Sequence, residues 1–585
     1  MTVPNRNFTI LDGGNGVSVT SSVVRALIGT ASTGSVDAPS SHTSPDEIAE
    51  IYGYGPLVDA AQYELENSGG TIICVRTEDT VAGTVTEGKH DQASTSTGDC
   101  NASGTPNNKY RVCVEILSTG MGTVATFRYS LDAGPDDPDD EYKTWSLPIT
   151  VPDTSGAGTY EIPNTGITLT FADAGSPAAT DFTDGDKFYW STSAPGYALA
   201  DLQDSLDAVQ TYIATLGANA KCEWVEVVGE VTAAIAIGAY GKMATQEAAK
   251  QFRFVICQAA DVDSITSVTK LDSGDIDVSV AGIPQGSYSV VIAITTLGAL
   301  GTMAFTYSLD GGKTTSSPVT SEVGGLYTIP GTGLQLTFSA GSYTTSMGYS
   351  FQTMDNATNR AAWQTDLISA YSSAKSTRLV VCAGFGEAIH PDGKIRRTPL
   401  AWGASSLLAK VSMSTDIGQI QDAGPLPGFI NISHNEELNP GLDDAGFLTA
   451  RTWTGYGGVY INQPRVMCPV GSDYDLIQYR RVMDEACRIL DRELVLTLNR
   501  KIRVDSVTGF IDERDAVSLD QRFTTQVGYA VVTPGHAGSV EVRVRRNENL
   551  LSTRLATVDM AIIGMAYLKT LNANVGYKNP ALVTV

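Results

Sequence analysis

Apolar positions recur in this chain with two different periods, and the change between them is clearest near the C-terminus. Leu476, Tyr479, Met483, Ala486, Leu490 and Leu494 follow each other at steps of three and four, one stripe of an amphipathic helix. The opposite face carries Arg481/Glu485 and Asp484/Arg488 four residues apart, pairs that add roughly 0.2–0.5 kcal/mol each. Ser472 and Asp475 give a capping-box start at its head. The period then becomes two: Val540, Val542 and Val544 alternate with Glu541, Arg543 and Arg545, which predicts a half-buried strand. Asn547-Glu548-Asn549 reads as a turn, and Arg554 to Ile563 as a second strand with Val558, Met560 and Ile562 on one side. Helix, strand, turn and strand make a compact two-layer unit. From Asn572 to Val585 core-type positions are too few for a further layer.

The N-terminal half has the same alternation of grammars on a larger scale. Residues 1–20 are polar and rich in Gly and Ser, an arm or loop. Val23 to Thr30 predicts a buried strand, and Ser44-Pro45-Asp46-Glu47 a helix start, with a Ser cap and Pro at the first position. A helix over Leu57 to Glu66, Gly69-Gly70 and the strand TIICVR complete an α/β opening. Helical periodicity is absent from Glu78 to Pro195 and again from Asp261 to Thr353. Between these stretches come a helix over Leu202 to Leu216, the strand WVEVVG, a helix ending near Ala249 and the strand FRFVICQA. After the second stretch a helix over Ala362 to Ser373 leads into RLVVCAGF.

The two β-rich stretches are copies of one unit. Phe127 to Asp132 (FRYSLD) matches Phe305 to Asp310 (FTYSLD), and Tyr160 to Gly166 matches Tyr327 to Gly333. Ile167 to Phe171 then matches Leu334 to Phe338, and Gly185 to Trp190 matches Gly348 to Thr353. Short strands about ten residues apart suggest a small β-sandwich in each. The fold class is therefore α/β (α+β), a discontinuous core with two inserted all-β sandwich-like modules and extended terminal arms. The divisions are an arm at 1–20, an α/β core from 21–78 with 196–260 and 355–420, modules at 79–195 and 261–354, a C-terminal α+β core at 421–571 and an arm at 572–585. Insertions of this size are tolerated because loop-closure entropy grows slowly with length.

Charge adds to this picture. The 585 residues carry a formal charge of -25, which excludes the basic footprint of a nucleic-acid binder. Glu78 to Pro195 holds 18 acidic and 6 basic residues, whereas Tyr474 to Arg554 holds 12 and 13. None of the eight cysteines forms a C-x-x-C or zinc spacing. Cys74, Cys257 and Cys382 lie in apolar runs and read as buried thiols of a reducing compartment. No signal peptide is expected at MTVPNRNFTILDGG, and no apolar run reaches membrane-spanning length, so no membrane partner is expected.

No catalytic constellation emerges. His434 stands near Glu436 and Glu437 but lacks the H-E-x-x-H partner. Ser405 lacks the G-x-S-x-G elbow, and Gly384 opens no full G-x-G-x-x-G. Asp136, Asp137, Asp139, Asp140 and Glu141 crowd one loop of the first copy, but without calcium-loop spacing they read as a solvated acidic loop. The expectation is a structural protein: no enzyme, no cofactor, no metal.

Two stretches carry a resemblance. VVRALIGTASTG followed by SPDEIAEIYGYGPLVDAAQYELENSGGTIICVRT resembles the N-terminal part of bacteriophage contractile tail sheath proteins. IQYRRVMDEACRILDRELVL and SVEVRVRR resemble their C-terminal core. The resemblance covers 1–78, 196–260 and 355–585, and the β modules look like the insertions that vary between members. It implies homo-hexameric rings stacked into a helical polymer around a tail tube. Baseplate and tail terminator proteins are further partners. Contraction drives the tube through the host envelope, in a virion assembled in bacterial cytoplasm. It also implies arms that add strands to neighbouring subunits, here with Phe8, Ile10 and Val17 at one end and Val575, Tyr577 and Leu582 at the other. Tube contact is expected from Arg480, Arg481 and Arg488. The alternative is an adhesin or carbohydrate-binding virion protein acting through its β modules, with exposed aromatics such as Trp145 and Trp190 as stacking surfaces, although Trp190 reads first as a core residue.

Overall fold

A computed structural model describes residues 24–91, 96–131, 144–154, 158–173, 178–216, 221–260, 268–271, 276–282, 288–321, 323–330, 332, 334–353, 357–390, 393, 395–569, 571–573 and 576. The chain divides into two compact units. One runs to Ser412 and includes Ile417–Ile477; the other is Met413–Asp416 with Gln478 onward. Residues 421–477, grouped in sequence with the C-terminal core, thus belong to the first unit.

The first unit opens with β1 (Val24–Gly29), β2 (Ser40–His42), α1 (Pro45–Tyr52), α2 (Pro56–Ser68) and β3 (Thr71–Arg76). Glycine makes the step between the two helices. Gly53 ends α1 at φ +70°, and Gly55 sits at φ +132° with its Cα against Ala31, where a Cβ would meet backbone at 3.1 Å. Pro56 then starts α2 at a position that needs no N–H. The chain leaves β3 for β4 (Val85–Asp91), β5 (Asp99–Gly104), β6 (Arg111–Ser118), β7 (Thr126–Ser130), β8 (Ile149–Thr150), β9 (Gly158–Ile162), β10 (Ile167–Ala172) and β11 (Lys187–Thr192). It returns through α3 (Leu199–Thr215) to β12 (Cys222–Val231), α4 (Ala233–Ala248) and β13 (Phe254–Ala259).

From β13 it leaves again for β14 (Thr269–Lys270), β15 (Val278–Gly282), β16 (Ser289–Thr296), β17 (Ala304–Ser308), β18 (Val319–Thr320), β19 (Leu326–Ile329), β20 (Leu334–Phe338) and β21 (Gly348–Gln352). The return is α5 (Ala357–Ala370) and β22 (Leu379–Cys382). The hairpin β23 (Phe385–Ile389)–β24 (Ile395–Pro399), α6 (Leu400–Lys410) and the hairpin β25 (Ala450–Trp453)–β26 (Tyr456–Ile461) finish the unit.

The central sheet has the order β2-β3-β1-β12-β13-β22, parallel throughout except for edge strand β2. Its strands are apolar on both faces because helices cover both. Leu27, Cys74, Ile256 and Val380 face α1, α2 and α6; Ala26, Ile28, Ile73, Val75, Val255 and Cys257 face α3, α4 and α5. Cys74, Cys257 and Cys382 are buried thiols, as their apolar surroundings predict. Because β3 and β13 run in the same direction, both long excursions leave from the same, carboxyl end of this sheet.

The repeated sequence folds twice in the same way. The first copy has the sheets β4-β11-β6-β7-β8 and β5-β10-β9; the second has β14-β21-β16-β17-β18 and β15-β20-β19. Each encloses its own core. Phe127 lies 4.8 Å from Phe171 and Phe305 4.7 Å from Phe338, at ring angles of 47° and 45°. The acidic loop residues Asp136 to Glu141 lie outside the described residues.

The second unit holds α7 (Ile477–Thr497) except its first residue, α8 (Glu513–Val531), β27 (Ala537–Val544), α9 (Leu550–Thr553) and β28 (Val558–Gly564). Val482, Ala486, Leu519, Phe523, Val527, Val542 and Val544 form its core. The sequence reading differs from this in three respects: an unforeseen helix, the start of α7 and the start of the second strand. Helix α8, capped by Asp512, was not predicted. α7 starts after Asp475, which pairs instead with Arg465 at 3.2 Å. Along α7, Arg480 pairs with Asp484 and Arg488 with Glu485. The second strand begins at Val558, because Arg554 adopts a left-handed conformation that ends α9.

Candidate assembly interface

The second unit carries a two-stranded antiparallel sheet. Arg543 stands opposite Asp559, Val542 opposite Met560 and Val540 opposite Ile562. Val540, Val542, Val544, Val558, Met560 and Ile562 turn one face toward α7 and α8. The other face carries Glu541, Arg543, Arg545 and Asp559. Arg545 meets Asp559 at 2.7 and 2.8 Å, and this contact holds the Asp559 carboxyl below the usual carboxylate range.

Antiparallel ladders alternate between pairs that exchange hydrogen bonds and pairs that do not. The Arg545 amide donates to Thr557 at 2.9 Å. Residues 543 and 559 and residues 541 and 561 are therefore the other bonded pairs. The N–H and C=O of Val540, Val542 and Val544 point out from the free side of β27, and those of Val558, Met560 and Ile562 from the free side of β28.

The two free sides differ. On β27, the Val542 amide donates to Thr524 Oγ1 at 3.0 Å, and the Thr524 hydroxyl donates to the Val542 carbonyl at 3.3 Å. The Val544 amide donates to Asp520 Oδ1 at 2.7 Å, and the Arg546 guanidinium donates to the Val544 carbonyl. On β28 no further strand is paired among the described residues. Exposed apolar side chains continue from it: Ile563, Met565, Leu568 and Leu571.

Of the three arginines expected to meet a tube, Arg480 and Arg481 are buried, at 5% and 3% exposure, and Arg480 pairs with Asp484 one turn on. Arg488 keeps a partly open guanidinium and pairs with Glu485 at 3.0 Å. The six arm residues Phe8, Ile10, Val17, Val575, Tyr577 and Leu582 lie outside the described residues. Trp190 packs in the core of the first β module, whereas Trp145 lies under the Arg128 guanidinium at 4.2 Å.

The positions tested for chemistry have structural duties. His434 is buried and bonds Glu436 at 2.9 Å, while the other Glu436 oxygen accepts from the amides of Gly441 and Asp443. Glu437 pairs with Arg451. Ser405 donates to Glu64 at 2.9 Å and accepts from the Trp224 indole at 3.0 Å. Among the described residues no cluster of three His, Cys, Asp or Glu is placed to hold a metal, and no helix is long and apolar enough to cross a membrane.

This architecture is a mixed α/β protein with several separate sheets. The chain belongs to the DUF2586 family, whose N-terminal domain matches residues 4–303. No curated protein matches it. Among solved structures it is similar to a sheath tail protein from Listeria innocua, at 9% identity over 93% of this chain and 95% of that one, with a TM-score of 0.38. It is similar to a sheath tail protein from Desulfitobacterium hafniense at 9% identity, over 96% and 100% of the two chains, TM-score 0.40. It is also similar to the helical sheath of the anti-feeding prophage in its contracted state, at 9% identity over 98% and 99%, TM-score 0.42.

Proposed function

We propose that this protein is the sheath subunit of a contractile tail or of a phage-like injection system. It stacks as hexameric rings around an inner tube, and contraction of the polymer drives the tube through a host envelope. The observation that supports this reading is the outer side of β28, unpaired among the described residues, on a unit with exposed apolar side chains and nearly balanced charge. Such an edge is a template for a strand from another chain. The arms at 1–20 and 572–585 supply those strands, with Phe8, Ile10 and Val17 or Val575, Tyr577 and Leu582 as their apolar positions. Main-chain pairing of this kind keeps neighbours joined while their bodies move. Outside the sheath core, the acidic β modules serve as hydrated outward decoration. Arg488 is the proposed tube contact; Arg480 and Arg481 join it only where the surroundings of α7 open. Baseplate and terminator proteins bound the polymer, and no nucleotide is consumed.

Negative-stain imaging of the purified full chain tests the proposal. Hollow cylinders are expected, lost when 1–20 and 572–585 are both removed. Dispersed particles under all assembly conditions would overturn it.

A further inference from the structure

In the central sheet β1 lies between β3 and β12, so the chain winds to one side of β1 first and to the other side afterwards. The helix after β1 packs on one face and the helix after β12 on the other. Between the carboxyl ends of two such strands a crevice opens, and parallel sheets take their ligands there. In this chain the first β module fills it, with its loop 105–110 and its return at Pro195 and Tyr197. At the end of β1, the Thr30 hydroxyl donates to the Pro195 carbonyl at 3.4 Å, and a Cβ on Gly55 would meet the Asn107 carbonyl at 3.4 Å. At the end of β12, the Tyr197 hydroxyl donates to the Val228 carbonyl at 2.8 Å, and Lys109 lies 3.7 Å from Glu230. In the first turn of α2, Asp59 accepts from the Asn108 side-chain amide at 2.6 Å. The Asn164 side chain adds a bond to the Tyr54 hydroxyl at 2.9 Å.

We infer that loop 105–110 is an internal ligand of this crevice, a mount that makes the first β module and the parallel sheet one rigid body. Inserted domains move against their hosts by default, unless an interface holds them. The loop is braced within its own module. The Asn107 amide donates to the Thr165 carbonyl at 3.0 Å, its side chain to the Asn164 carbonyl at 2.7 Å, and the Tyr110 hydroxyl to Asn107 Oδ1 at 2.7 Å. Asp59 is supported in turn by Arg396 of β24 at 3.5 Å. The sandwich itself does not require the docking residues. At the matching places in sequence the second copy has Gln285, Gly286, Ser287 and Gly331 instead of Asn107, Asn108, Lys109 and Asn164. That copy leaves from β13, where no such crevice forms, because the helices before and after this strand pack on the same face. Whatever grips the first module therefore acts directly on β1 and β12.

Distance measurement between two spin labels on the soluble full-length protein tests the mount. One label replaces exposed Glu161 of β9 and the other exposed Asp204 of α3, both as unnatural amino acids, so that the native thiols stay untouched. The wild type is expected to give one narrow distance distribution. Asn108→Gly, Lys109→Ser and Asn164→Gly together install residues that the second copy carries, so the sandwich keeps its fold while the distribution broadens. Asn108→Asp sets a second carboxylate against Asp59 and should broaden it as well. Adding Asp59→Asn exchanges the two partners and should restore the narrow distribution; if the triple variant fails to fold, this exchange decides. A broad distribution in the wild type, or a narrow one in the folded variants, would overturn the mount. Broadening that the exchange fails to reverse would place the effect inside the module and overturn it too. No polymer is needed for these readouts, so the mount and the sheath proposal stand or fall separately.

Discussion

Arg25 of β1 and Glu64 of α2 form an ion pair in which neither side chain has any solvent exposure. Glu226, on the adjoining strand β12 opposite Leu27, is buried on the same face. One guanidinium cannot balance two buried carboxylates. Burial first, and the Glu64 charge second, push the Glu226 carboxyl well above its usual range, so it holds a proton in the fold. The stability this proton lends is complete below the ordinary glutamate value of about 4.3. It is lost as pH rises through the higher value of the folded state. Stability should therefore fall as pH rises above the ordinary glutamate value, by up to about 1.4 kcal/mol per pH unit from this group. Glu226→Gln is neutral at every pH and should flatten the slope and raise stability at the alkaline end. Thermal denaturation from about pH 5 to about pH 8 checks this; an unchanged slope would mean that Glu226 is ionised.

The duplicated modules share a buried hydroxyl lock. Thr165 donates to the Ile162 carbonyl at 2.9 Å and accepts from the Ile167 amide at 3.1 Å. Thr332 does the same with Ile329 and Leu334 at 2.8 and 3.2 Å. Replacing either threonine by valine removes both hydroxyl bonds, leaving the Ile329 carbonyl of the second copy only the Thr332 amide at 3.3 Å, and should cost about 1–3 kcal/mol. Because the two sites lie in separate cores, the double variant should be additive within about 0.5 kcal/mol. Denaturant titration of the three variants measures both quantities.

Phe523 anchors the helix that covers β27. It is buried with Leu519, Val527 and Val542, so Phe523→Ala should cost about 3–5 kcal/mol. The loss should be read by hydrogen exchange in α8 and β27, while the amides of β1 and β12 keep their protection.

Burial sets the order of thiol reactivity. Cys74, Cys257 and Cys382 have no exposure, and desolvation raises each thiol far above its usual range. Cys468 and Cys487 are half-buried. Alkylation of the native protein at neutral pH should label Cys468 and Cys487 first and the three strand thiols only on unfolding, as mass spectrometry would show.

Sequence pattern exposed the parts whose signals are local. The runs TIICVR and FVICQA announce buried parallel strands because both faces are apolar, and the alternation at Val540, Val542 and Val544 announces β27. Helix α8 escaped because its buried positions, Ala516, Leu519, Phe523, Val527 and Val531, are diluted among polar and β-branched residues such as Thr524 and Thr525. With it went the closed edge of β27, since the contact of Thr524 with Val542 exists only once α8 lies on the strand. The expected charged face of α7 assumed that the side opposite an apolar stripe meets water. Arg480 and Arg481 are instead buried, a consequence of tertiary packing that no periodicity encodes.

Both β modules leave the central sheet from the carboxyl ends of parallel strands, one after β3 and one after β13, and each returns through a helix. Neither interrupts the pairing of the six strands, so these two junctions are expected to accept replacement. A foreign domain with neighbouring termini could be grafted at either one, leaving the six strands beneath to fold as they do now.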